Sequence, residues 1–241
     1  KVDACYPPDA VDMTIEEQRA VYDGMCKVFY QGRPDGVSTW DEDKGGVPCR
    51  RYEVGASDVT VVYYHGGGFV VGGLESHDDV CAEICARTGY RVVSVDYGLA
   101  PEVVHPGCFN DAWAAYVAIA AEYAGKVVLS GDSAGGNLAA AVAHHARDHG
   151  VSQKIAGQVL IYPGLGGDPD TGSYLEHAEA PLLRRVHTLA YKDVRMAFDQ
   201  DLTDPTYFAL NETDFSGLPP TVAISAQCDP LSDDGRVYCD K

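Results

Sequence analysis

KVVLSGDSAGGNLAAAVAHHARDHG, residues 126–150, is the stretch on which the reading of the whole chain turns. It opens on a short apolar run, Val127, Val128 and Leu129, that suits a buried strand. A tight turn follows, Gly131-Asp132-Ser133-Ala134-Gly135, and then an alanine-rich run that favours helix and stops at Gly150. The pattern is strand, sharp turn, helix, with one serine at the apex. A serine whose hydroxyl must clear the sheet needs a strained backbone. Side chains two positions to either side would collide with the neighbouring strand and helix, which suits Gly131 and Gly135. The helix end beneath the serine supplies free N–H groups and a positive dipole end. A bare G-x-S-x-G pattern arises easily by chance; the strand before it and the small-residue helix after it give this one its weight.

Working outward, apolar runs at 47–54, 59–64, 91–95, 155–161 and 221–226 predict strands. Helices are expected at 10–31, 77–88, 109–123 and 181–198, with another beginning near Asp233. Residues 31–46, rich in Gly, Pro and charge, read as a loop. Alternating strands and helices predict an α/β fold with a mostly parallel central sheet and helices on both faces, its ligands held at the C-terminal ends of the strands. Residues 164–206 interrupt the alternation and suit a lid. The expected division is 1–45 as the N-terminal part of a cap, 46–164 as the core with the serine turn, 165–208 as a cap insertion and 209–241 as a returning core segment.

The 241 residues carry a net charge of −18, a surface that repels phosphate backbones and argues against a nucleic-acid partner. No apolar run is long enough to span a membrane, and the start lacks the apolar core of a signal peptide, so a cytoplasmic location is expected. Eight cysteines without metal-type spacing read as small buried hydrophobes.

A second glycine-rich turn, His65-Gly66-Gly67-Gly68-Phe69, follows the 59–64 strand and offers N–H groups with no side chain in the way. Asp229 ends a later strand. With HGGGF at 65–69, DYGLAPE at 96–102, GDSAGGNLA at 131–139, YP at 162–163 and LPPTVAISAQCDPLSDDG at 218–235, the chain resembles the bacterial hormone-sensitive-lipase-like esterases of the α/β-hydrolase fold across nearly its whole length. The resemblance implies Ser133 as nucleophile, Asp229 as triad acid and the N–H groups of Gly67, Gly68 and Ala134 as the oxyanion hole. It also implies small, short-acyl carboxylic esters as substrates and no cofactor or metal. His65 is implied to support the glycine loop. Gly98 stands where the family carries arginine.

The family's histidine base follows its aspartate, yet the eight histidines here, at 65, 77, 105, 144, 145, 149, 177 and 187, all precede Asp229. The expectation is a C-terminal strand and helix missing from this chain, either as a clipped fragment still docked as a partner or by truncation. The rival is a natural non-catalyst: plant gibberellin receptors resemble this family, lack a working histidine and bind small molecules instead. An amidase and a homodimer are the remaining alternatives for activity and assembly. His144, His145 and His149 read as packed or surface residues, and His177 and His187 as lid residues. Asp168 and Asp170 read as solvated turn carboxylates, and Asp132 as a turn residue.

Overall fold

The computed structural model describes residues 5–7, 9–196 and 198–241. Its centre is a seven-stranded sheet. The strands are β1 (Ser38–Lys44), β2 (Val47–Glu53), β3 (Val59–Tyr64), β4 (Arg91–Val95), β5 (Lys126–Asp132), β6 (Ile155–Ile161) and β7 (Thr221–Ile224), in the order β1-β2-β4-β3-β5-β6-β7. β1, β2 and β4 pair antiparallel in turn, and every other neighbouring pair is parallel. The helices are α1 (Ile15–Phe29), α2 (Asp78–Thr88), α3 (Gly107–Glu122), α4 (Ala134–Asp148), α5 (Gly172–Glu176), α6 (Arg185–Arg195) and α7 (Ser232–Asp240).

Side chains alternating along the strands feed two separate cores. Val62, Tyr64, Val93, Val95 and Leu129 point to one face and pack with α3 and α4. Val61, Tyr63 and Val92 point to the other and pack with Cys81, Ala82 and Cys85 of α2. The alanines of α4 let that helix lie close to β5 and β6: Ala139 to Ala143 are buried, and so is Asn137. Asn137 Nδ2 donates to the Tyr207 carbonyl (2.9 Å) and its Oδ1 accepts from Ala209 N–H (3.0 Å), so a buried amide ties the helix to the chain returning from residues 198–208. No described helix is long and apolar enough to cross a membrane.

The segment expected as a loop at 31–46 contains β1. Apart from Thr39 and Trp40 its residues, STWDEDK, are poor strand formers, and only Lys44 is buried. Charge of this kind is how an edge strand discourages further pairing. Gly45-Gly46 closes the hairpin, with Lys44 facing Val47, and was the available signal. The expected helix at 10–31 is a 3-10 turn (Ala10–Asp12) followed by α1, which begins at a Thr14/Glu17 capping box. The expected helix at 181–198 is narrower, since α6 spans Arg185–Arg195, and the short α5 lies outside it. Four cysteines are buried as expected, at 49, 81, 85 and 108; Cys228 and Cys239 are exposed.

Candidate active site

β5 delivers the chain into the apex of the turn at Ser133, which adopts φ 52° and ψ −116°. That conformation is costly for a residue with a Cβ and is held from outside. Ser133 N–H donates to the Ile161 carbonyl (2.9 Å), and its own carbonyl accepts from Gly164 N–H (3.1 Å). The flanking glycines are sterically required. A Cβ on Gly131 would stand 2.5 Å from the Tyr64 carbonyl oxygen and from Gly135, and one on Gly135 would run into the Tyr64 carbonyl itself. α4 begins immediately after the serine, so the Ala134 N–H belongs to the helix end whose donors lack intrahelical partners.

The glycine turn sits beside this apex. Gly67 (φ 115°) and Gly68 (φ 61°) both have backbone conformations open chiefly to glycine. A side chain at Gly68 would meet the Tyr191 ring of α6, and one at Gly67 would meet the Val71 backbone. Arg19 of α1 braces the loop's far side: Nε donates to the Val70 carbonyl (2.9 Å) and Nη2 to the Ala100 carbonyl (3.0 Å), while the guanidinium pairs with Glu102 (2.6 Å). His65 is buried, its Nδ1 2.7 Å from the Gly66 carbonyl, and Tyr97 O–H donates to the His65 carbonyl (2.6 Å). Burial, then the neighbouring His77 charge, pulls His65 down to about 4, so it supports the loop as a neutral ring.

Ser133, Gly67, Gly68, Ala134 and Asp229 all line one cavity of about 710 Å³. Tyr6, Tyr22, Tyr174 and Tyr191 wall it on the side of α1, α5 and α6, with the Tyr6 and Tyr191 hydroxyls 2.9 Å apart. Asp229 follows β7, and its Oδ1 accepts Leu231 N–H (2.8 Å). Burial raises its pKa against the pull of that bond and of His177. His187 also lines the cavity. His144 lies buried against the Tyr238 hydroxyl (3.0 Å), and His145 and His149 stack on each other beside Trp113. Asp170 N–H donates to Asp168 Oδ1 (3.0 Å), and Asp170 pairs with Arg185. Gly98 packs where a Cβ would stand 2.7 Å from Val103, so an arginine has no room there.

Asp132 is more than the turn residue expected of it. It is buried, and its Oδ1 accepts from Gly66 N–H and from the Tyr63 hydroxyl, both at 2.9 Å. Asp234, which the sequence does not single out, has a second such role. One of its oxygens accepts from Leu165 N–H (2.7 Å), Gly166 N–H (3.1 Å), Gly167 N–H (3.3 Å) and the Tyr174 hydroxyl (3.2 Å), pinning the loop that forms the cavity's far wall. Asp234→Ala strands those donors, of which the bonds from Leu165 N–H and the Tyr174 hydroxyl are fully buried. At about 1–3 kcal/mol for each of these two the expected loss is about 3 kcal/mol, a fall in Tm of roughly 6–12 °C. Asp234→Asn keeps an acceptor and should lose less than half as much; calorimetry of the two variants checks the ranking.

A strained serine between strand and helix, beside a glycine loop at the strand ends of a mostly parallel sheet, defines an α/β hydrolase. The chain belongs to that family, whose model, described as alpha/beta hydrolase fold, matches residues 61–241. It is 37% identical to the carboxylesterase NlhH of Mycobacterium tuberculosis, over 97% of this chain and 71% of that protein. Among solved structures, the hyperthermophilic esterase of the archaeon Pyrobaculum calidifontis superposes with a TM-score of 0.87 at 36% identity, covering 95% of this chain and 78% of that one. An esterase of the bacterial hormone-sensitive lipase family gives a TM-score of 0.85 at 28% identity, covering 93% and 75%.

Proposed function

We propose that the protein hydrolyses small carboxylic esters through an acyl-enzyme on Ser133. The observation that carries the reading is the convergence of the strained serine, the open Gly67–Gly68 turn, the free helix end at Ala134 and Asp229 on one cavity. In the first step the Ser133 oxygen attacks the ester carbonyl carbon. The carbonyl oxygen takes the negative charge and is received by the N–H groups of Gly67, Gly68 and Ala134. The resemblance supplies the base as a histidine beyond the aspartate, oriented by the second oxygen of Asp229, to take the serine proton and return it to the departing alcohol; none of the eight histidines of this sequence follows Asp229. Water activated by the same base then releases the acid. His65 and His77 are excluded as that base by their places in the buried network behind the glycine loop.

The described residues before β1 and those between β6 and β7 supply the cap. Tyr6 and Tyr22 from the first and Tyr174 and Tyr191 from the second narrow the cavity, which favours short acyl groups over long chains. The acidic surface suits a protein working free in the cytoplasm.

A fluorophosphonate probe followed by peptide mapping tests the assignment. The expected result is a single adduct on the peptide carrying Ser133, with p-nitrophenyl acetate and butyrate turned over well ahead of the palmitate. An unlabelled Ser133, or labelling at another residue, overturns it.

A further inference from the structure

We infer that His77 is a positioning residue for the oxyanion loop, acting as a buried imidazolium that holds the Asp132 carboxylate against Gly66 N–H. The inference rests on the proposed role of Gly67 and Gly68 and adds the device that sets their direction.

The hydrogen bonds around His77 fit a ring protonated on both nitrogens. Ser76 has one hydroxyl proton, which it donates to the Gly73 carbonyl (2.9 Å), while its oxygen accepts Gly73 N–H (3.0 Å). The remaining contact of that oxygen, 2.8 Å from His77 Nδ1, is then met by Nδ1–H as donor. On the other edge of the ring, Nε2 lies 3.3 Å from both oxygens of Asp132. A bare Nε2 there would set its lone pair against a carboxylate, so Nε2 carries a proton as well. Both nitrogens donate, and the ring is positive. Burial works against that charge, but the Asp132 carboxylate outweighs it and leaves the His77 pKa raised. The other titratable groups facing the pair agree: Tyr63 donates to Asp132, His65 is neutral, and Asp79 on α2 adds a further negative charge.

The pair reaches the chemistry through Gly66. Asp132 fixes the Gly66 N–H, and His65 Nδ1–H fixes the Gly66 carbonyl, so both ends of the residue preceding the oxyanion donors are held. A Cβ on Gly66 would collide with the Asp132 carboxylate, so loop and acid lie in direct contact. Removing His77 leaves a buried carboxylate without its cation. The carboxylate then takes up a proton or pulls the loop toward water, and either response turns Gly67 and Gly68 away from their target. A misplacement of about 1 Å in such donors costs on the order of a hundredfold in rate.

The test uses the intact protein in four forms: wild type, His77→Gln, Asp132→Asn and the double variant. The expected outcome is a kcat on p-nitrophenyl acetate lowered about a hundredfold in each single variant, with KM within about twofold. The double variant recovers most of kcat, because an Asn–Gln pair can make the same bonds without charge. Selective 15N-histidine labelling of the wild type at pH 7 should show two protonated nitrogens on His77, and the Gly66 amide should exchange faster in the single variants than in the double. A bare nitrogen on His77, or single variants that lose Tm but keep kcat and Gly66 protection, overturns the inference. If the wild type turns over no ester, the proposed function falls separately, and the nitrogen signature with the Gly66 exchange rates still decides the role of the pair.

Discussion

Ser133→Gly is expected to abolish ester turnover and, in the same molecule, to raise thermal stability. Serine at φ 52° and ψ −116° stores about 1–3 kcal/mol of backbone strain, which glycine does not suffer. Glycine returns part of that gain through its freer unfolded chain, about 0.5–1 kcal/mol. The net expectation is a gain of about 1 kcal/mol, read as a rise in Tm of roughly 2–4 °C for a chain of this size. Loss of the nucleophile should lower kcat by about 10⁴-fold or more, as removal of a catalytic serine does elsewhere. Ser133→Ala separates the two effects: it loses the hydroxyl but keeps a Cβ at the strained position, so activity falls equally while Tm stays near wild type. Calorimetry and an ester assay on the two variants suffice. Were glycine no more stable than alanine here, the serine backbone would not be under strain. Turnover surviving in either variant would remove Ser133 from the nucleophile's place.

That turn was legible from the chain because its signature is local. Gly131, Ser133 and Gly135 stand in one turn between a strand and a helix, although the Tyr64 backbone the glycines make room for is remote in sequence, and the strands at 59–64, 91–95 and 155–161 fall at their expected ends. Central strands covered on both faces must be apolar along their length, which prints a continuous signal in the sequence. β1 was illegible for the opposite reason: Asp41 and Asp43 are exposed and half-buried Glu42 pairs with Lys44, so the strand answers to no apolar core. The supports of the site were illegible on different grounds. Asp132 meets His77 across 55 positions and Gly66 across 66, and Tyr6 meets Tyr191 across 185. No periodicity encodes such pairs; only the folded sheet brings them together. Asp132 carried one clue, an ionisable residue placed where the turn needs no charge. Asp234 carried none, since an acidic residue near a helix start is ordinary.

Gly67→Val is the second change with a large expected effect, and it acts on rate before stability. Valine cannot readily adopt φ 115°, and its Cβ would fall on the Val71 carbonyl, which cannot rotate away because it is backbone. The loop must therefore move, carrying the Gly67 and Gly68 N–H groups with it. Loss of one oxyanion donor costs about 10²–10³ in kcat, so displacement of two should cost on the order of 10³ or more. KM should change far less, because the charge those groups are proposed to receive exists only in the transition state. The loop lies at the strand ends, so the fold should survive: Gly66 stays bonded through Asp132, and the packed faces of β3, β4 and β5 are untouched. Gly135→Ala makes the contrasting case. Its methyl would be driven into the Tyr64 backbone between α4 and β3, so stability should fail along with activity. Measuring kcat, KM and Tm for both variants distinguishes a loop that receives charge from one that merely fills space. A Gly67→Val enzyme within tenfold of wild-type kcat would mean that the negative charge is received somewhere else.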